Sequence, residues 1–276
     1  MQVAARDGPE LESAPMRLPG VEAFYVQLDE GTFQPTQHCE GPWDPEACHG
    51  GPPSALALHE ILRHDGESGL VVAQLHIDLL GPVPLSPIDF TTRTLREGRR
   101  IQLVETSGTA SGRPVVNVRA WKMAVGAEGV PEIGTSATIP GPTTGTPGGA
   151  ISSFPYGAAI DWSFLEGSFG EAGPSTVWAT PRIPLVEEET IAPIEAAVLV
   201  ADSANGISSV LPFDRYLFIP PAISTTLMRY PKEPTVAISA RTQVSADGIG
   251  ITRATLLDAD GPFAYMQQAL YVAPRP

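Results

Sequence analysis

At 276 residues the chain is long enough for one or two domains and a sizeable core. Its 17 Lys and Arg against 31 Asp and Glu leave a net charge of −14, which gives no overall pull toward nucleic acid or anionic lipid. No stretch approaches the roughly 18 apolar residues of a membrane span, and no apolar segment follows the N-terminal charges as in a secretory signal. Cys39 and Cys48 fit neither a metal spacing nor a disulfide framework, so a cytoplasmic protein is expected.

In chain order, residues 1–20 read as a poorly ordered leader. Residues 24–33 (FYVQLDEGTF) alternate as a strand and end in Glu30-Gly31-x-Phe33. A loop with Trp43 follows, then Pro53–Leu62, apolar nearly all round and rich in Ala and Leu, which predicts a buried helix with Pro53 in its first turn. Four strands are expected over Val71–Leu79, Ile88–Arg96, Arg100–Ala110 and Pro114–Met123, separated by Gly-containing turns. Residues 138–153 (TIPGPTTGTPGGAISS) read as a linker.

Beyond the linker the pattern recurs. Residues 160–169 (IDWSFLEGSF) again end in Glu-Gly-x-Phe, Trp178 follows, and Ile194–Ala201 is a second apolar helix. Strands are expected over Tyr216–Arg229, Thr235–Val244, Ile249–Leu257 and Phe263–Val272, with Pro231 over Pro84 and Arg241-Thr242 over Arg93-Thr94. The order is strand, helix, four strands in meander, twice: an α+β arrangement of buried helices on antiparallel sheet.

Five segments carry a family resemblance: Gly41-Pro42-Trp43, His49–Ala57 with its His49-Gly50-Gly51 start, Thr94–Ile101, Ala201–Gly206 and Gln268–Val272. With the repeat, they make the chain similar to double hot-dog proteins of the acyl-CoA thioesterase II type. The resemblance implies two fused hot-dog units (21–137 and 154–276), each a central helix wrapped by a curved antiparallel sheet, with one continuous sheet across both. It implies an acyl-CoA substrate and hydrolysis to free acid and CoA, and no cofactor is expected. Two fused units still leave sheet edges exposed, so pairing into a homodimer is expected.

Glycines ahead of a helix let backbone approach a ligand and leave N–H groups pointing outward, as a thioester oxyanion requires. His49, Gly50 and Gly51 are therefore the expected oxyanion and substrate-binding residues. The plainer alternative is a glycine turn with an exposed histidine. Single hot-dog thioesterases with this motif often carry a carboxylate nine residues after the histidine, and that position here is Leu58. The second helix carries Asp202 but no glycines, so each half supplies what the other lacks and one composite site per chain is expected. An Asp at the end of an apolar helix is costly to bury unpaired.

The resemblance implies a water held by an Asp, a Thr or Ser, and a Gln. Asp202 and Gln268 match the first and third, with Gln267 one residue off in register. Alignment on Arg229 puts the hydroxyl position near Pro220, and Ser224, taken to share a strand face with it, is the expected substitute. Two other readings are carried: a hot-dog hydratase using Asp44 and His49, five positions apart, and a non-catalytic acyl-CoA binding protein, favoured by Pro220. His59 and His64 resemble a zinc-protease helix pair, but their spacing of five puts the rings on different faces. All five histidines lie in the first 76 residues and there is no G-x-S-x-G, so a Ser-His-Asp hydrolase is not expected.

Overall fold

A computed structural model describes residues 20–64, 69–126, 129–131, 133–134 and 138–275. The expected leader lies outside the described residues, except for Gly20.

The first aromatic run is not one strand. It folds as a hairpin of β1 (Tyr25–Asp29) and β2 (Thr32–Pro35). Gly31 turns it at φ +74°, and a Cβ there would lie 2.9 Å from the Phe90 carbonyl oxygen, so only glycine fits. Helix α1 (Gly51–His64) follows, then β3 (Leu70–Leu79), β4 (Ile88–Arg96), β5 (Ile101–Ala110) and β6 (Arg113–Ala124). The stretch read as a linker carries a two-residue strand, β7 (Thr146–Pro147), which pairs with β8 (Ile160–Glu166). Helix α2 (Pro155–Ala158) precedes β8, and β9 (Ser175–Pro181) follows it. Then come α3 (Pro193–Ala201), α4 (Ala204–Ile207), β10 (Tyr216–Leu227), β11 (Val236–Val244), β12 (Ile249–Asp258) and β13 (Gly261–Pro274).

All thirteen strands form one antiparallel sheet in the order β1-β2-β4-β5-β6-β3-β10-β13-β12-β11-β9-β8-β7. The meanders are β4-β5-β6, β7-β8-β9 and β11-β12-β13, each of three strands, so the expected four-stranded meanders do not form. β3 and β10 each cross to the far side of their meander and pair with each other, with His76 opposite Ser224. That pairing joins the two repeats of the sequence.

Helix α1 lies against β4, β5 and β6, α3 lies against β9 and β11, and the two helices touch. Their apolar character all round explains this placement. Residues 51–59 of α1 and 194–201 of α3 are buried. Leu56 and Leu58, fully enclosed, each contribute roughly 1.5–3 kcal/mol by leaving water. The contact between the helices brings the start of α1 against the end of α3.

Candidate active site

Gly50 and Gly51 sit where the first turn of α1 presses on the end of α3. A Cβ on Gly51 would run into the Leu199 carbonyl, and one on Gly50 would lie 2.8 Å from an Asp202 carboxylate oxygen and 2.6 Å from Leu79 Cδ1. The glycines are there because two backbones meet at this point. Asp202 caps the end of α3 at φ −59° and ψ −22°, and the chain steps through Ser203 into α4. This step turns the Asp202 carboxylate back toward the start of α1.

The carboxylate is 5% exposed. His49 Nδ1 lies 3.1 Å from its Oδ2. Gln268 Nε2, from β13, donates to the Asp202 carbonyl at 3.0 Å and to Oδ1 at 3.3 Å. Burial lifts the Asp202 pKa from 3.8 to about 7, against the opposing pull of the Gln268 amide and of the Gly51 and Gly50 N–H groups. Burial also lowers His49 to about 3, so its ring is neutral at pH 7. Nδ1 accepts the Gly51 N–H at 3.2 Å, so in this arrangement it carries no proton, and its contact with Oδ2 is a hydrogen bond when Asp202 is protonated.

Three parts of this arrangement are not visible in the sequence. Tyr156 of α2 stacks on the His49 ring, with centroids 3.8 Å apart and planes 6° from parallel. Its hydroxyl donates to the Leu199 carbonyl at 2.8 Å and meets Ser203 Oγ at 3.0 Å, bracketing Asp202 from both sides. The third is Thr225. It lines a tight apolar cleft with Asp202, among Ile77, Ile223, Leu227 and Phe263. About 10 Å³ there is open to a water centre, room for about one water. Gln268 Oε1 is buried without a hydrogen-bond partner among the described residues, and such an orphan calls for a water.

Ser224 is on the wrong side of the sheet for this site, which corrects the expectation from strand alternation. Gln268 pairs with Ile223, whereas Ser224 pairs with Gln267 and bonds His76 Nδ1 at 2.8 Å on the outer face. The error is physical. The register shifts between Ile219 and Ala222, because Pro220 and Pro221 have no N–H for the ladder, and the faces exchange past that point. The inward hydroxyl is one residue on, at Thr225. The same pairing puts Gln268 inward and Gln267 outward. Asp44 is exposed and accepts from the Glu46 N–H at 2.9 Å, while His49 faces Asp202. Arg229 holds Asp258 through two bonds of 2.6 Å.

Two family models match the chain: the acyl-CoA thioesterase N-terminal domain over residues 39–123 and the acyl-CoA thioesterase C-terminal domain over residues 131–272. The chain belongs to the acyl-CoA thioesterase family. It is accordingly a thioester hydrolase. Solved structures share its fold at low identity. A candidate thioesterase II of Thermobifida fusca YX is 16% identical with TM-score 0.73, covering 94% of this chain and 100% of its own. A hot-dog protein of unknown function from Alicyclobacillus acidocaldarius is 14% identical with TM-score 0.71, covering 92% and 97%. An acyl-CoA thioesterase II of Mycobacterium marinum is 15% identical with TM-score 0.67, covering 91% and 95%. A search of the curated proteins finds no match. No described helix is long and apolar enough to cross a membrane.

Proposed function

We propose that this thioesterase hydrolyses an acyl-CoA to free acid and CoA at one composite site, with Asp202 as general base. The observation that carries the reading is the buried Asp202 carboxylate, faced by the Gly50 and Gly51 amides and by a Gln268 side chain whose Oε1 has no partner among the described residues. A water accepted there donates one proton toward Asp202 and rests against Gln268 Oε1 and Thr225. A carboxyl group with a pKa near 7 is matched to taking that proton at neutral pH. The water oxygen attacks the thioester carbonyl carbon, the carbonyl becomes an oxyanion, and its collapse breaks the C–S bond. The thiolate leaves with the proton that Asp202 took up.

Before attack the Gly50 and Gly51 amides serve the carboxylate. As Asp202 takes the proton, its charge disappears and reappears on the substrate oxygen. The same donors, at the start of a 14-residue helix, then serve the oxyanion. His49 accepts a hydrogen bond from protonated Asp202 and fixes its orientation. We read the architecture as two fused hot-dog units, supported by the repeated strand order and by one helix lying on each half of the sheet.

Thiol release from a panel of acyl-CoAs tests the reading. Thr225→Val and Gln268→Ala should each lower turnover by about 10–100-fold, the rate equivalent of losing one buried hydrogen bond to the water. Wild-type rates in both variants would overturn it. The hydratase alternative has no pair to work with, since Asp44 is turned to its own loop. The binding-only alternative rested on Pro220, and Thr225 supplies the hydroxyl missing there.

A further inference from the structure

The outer face of the sheet carries a second feature, independent of the Asp202 site. One row of side chains crosses eight strands in register: Arg93, Glu105, Arg119, His76, Ser224, Gln267, Arg253, Arg241. The row holds four of the 17 basic residues of a chain with net charge −14. The two repeats treat the same backbone positions differently. In the first, Arg93 faces Glu105 and is bound by it at 2.7 Å. In the second, the counterparts are Arg241 and Arg253, directly opposite one another. Like charges placed so oppose sheet pairing. Neither arginine has an ion-pair partner among the described residues.

Both arginines line a groove of about 660 Å³. Its other walls offer hydroxyls from Ser239, Thr255 and Tyr265, and the Gln267 amide. Paired guanidiniums present forked donors that match the oxygens of phosphate, and hydroxyls and an amide can serve the oxygens that remain. One carboxylate, Glu166, stands at the rim, where the Thr176 hydroxyl reaches it at 3.5 Å.

We propose that this groove binds a phosphate-bearing small molecule through Arg241 and Arg253. The ligand would sit back to back with the hydrolytic site. Gln267 lines the groove and the next residue, Gln268, faces Asp202 through the same strand. The shared chemistry is the phosphate group, whether it comes from an inorganic anion or a nucleotide.

Calorimetry of the full chain with pyrophosphate, and separately with ADP, tests this. The expected result is saturable binding of at least one probe, weakened at least about tenfold in the Arg241→Gln/Arg253→Gln variant. That variant should melt no lower than wild type, since a like-charge pair is removed, and should keep its thioesterase turnover. Binding of pyrophosphate identifies bare phosphate as sufficient, and binding of ADP alone identifies a nucleotide. No binding of either probe, or equal binding to the variant, overturns the proposal. So does light scattering that shows self-association lost in the variant without anion binding, because the groove would then be an interface between copies. Neither the calorimetry nor the light scattering depends on Asp202.

Discussion

At one end of the α1–α3 pair the start of α1 meets Asp202, and at the other the start of α3 meets His59. The two ends are built on equivalent strands but hold different chemistry. At the His59 end, Glu195 accepts the Ala192 N–H at 2.8 Å and binds His59 Nδ1 at 2.9 Å. Arg63 closes the cluster, 3.3 Å from His59 Nε2 and 3.0 Å from Glu189. Gln268 lies opposite Ile223 and Thr252, and the residue in that place in the first repeat is Ala120, opposite Leu75 and Val104. Thr225 likewise corresponds to Ile77. The first repeat therefore has no polar side chain at the strand positions where the second holds Gln268 and Thr225, and the buried acid at the His59 end is hydrogen-bonded to His59. One end is shaped for chemistry and the other clamps the helices together.

The sharpest way to break this comparison is to remove the acid at one end and the acid's partner at the other. Asp202→Asn should lower kcat by ~10²–10⁴, the usual worth of a general base, with the fold intact by circular dichroism. His59→Gln should leave turnover per folded molecule unchanged and lower unfolding stability by ~1–3 kcal/mol, because Glu195 loses a buried partner. If His59→Gln abolished turnover while folded, the division between the ends would fail.

Next in size is the approach of the backbones. Gly51→Ala forces α1 away from the Leu199 carbonyl and should cost ~1–3 kcal/mol as well as most of the activity. The His59 end starts its helix with Ala192 and Pro193, so it makes no equivalent demand for glycine.

A pH series sharpens the same contrast. Asp202 acts as a base only when ionised, so kcat/KM should rise with pH and reach half its plateau near pH 7. The stability effect has the opposite sense. The folded chain holds the Asp202 proton up to about pH 7, whereas the unfolded chain releases it near 3.8. The Asp202 contribution to stability therefore falls as pH rises through that window. Asp202→Asn, which has no charge to bury, should melt higher than wild type at pH 8, and the gap should shrink as pH approaches 4. Thermal melts at both pH values check the sign.

Much of this was legible in the sequence. The repeat announced one buried helix and four strands in each half, though not the crossing of β3 and β10, and the split of Gly50-Gly51 from Asp202 announced that the two would meet, because apolar periodicity and helix-end residues are local signals. What failed needed non-local facts. Counting alternate residues leads to Ser224, and the count breaks at a bulge at Pro220 and Pro221 in β10. Strand β9 gives no alternating signal, because its inward and outward positions are both covered in STVWATP. Tyr156 carries no motif at all. It reaches His49 because the chain after residue 153 makes one helical turn under the first repeat, with its N–H on the Glu40 carbonyl.

The smallest effect should come from Tyr156, and it separates two roles of one side chain. Tyr156→Phe keeps the ring on His49 and removes the hydroxyl from Leu199 and Ser203. Leaving those buried acceptors short costs about 1 kcal/mol of stability and loosens the step from α3 to α4 that aims Asp202. The expected result is a kcat lowered a few-fold with KM unchanged. Tyr156→Leu removes the stacking as well, so His49 is freer to turn from Oδ2 and the pH midpoint of kcat should move away from 7. If Leu and Phe behave alike at every pH, the ring does not position His49, and only the hydroxyl couples this residue to the carboxylate.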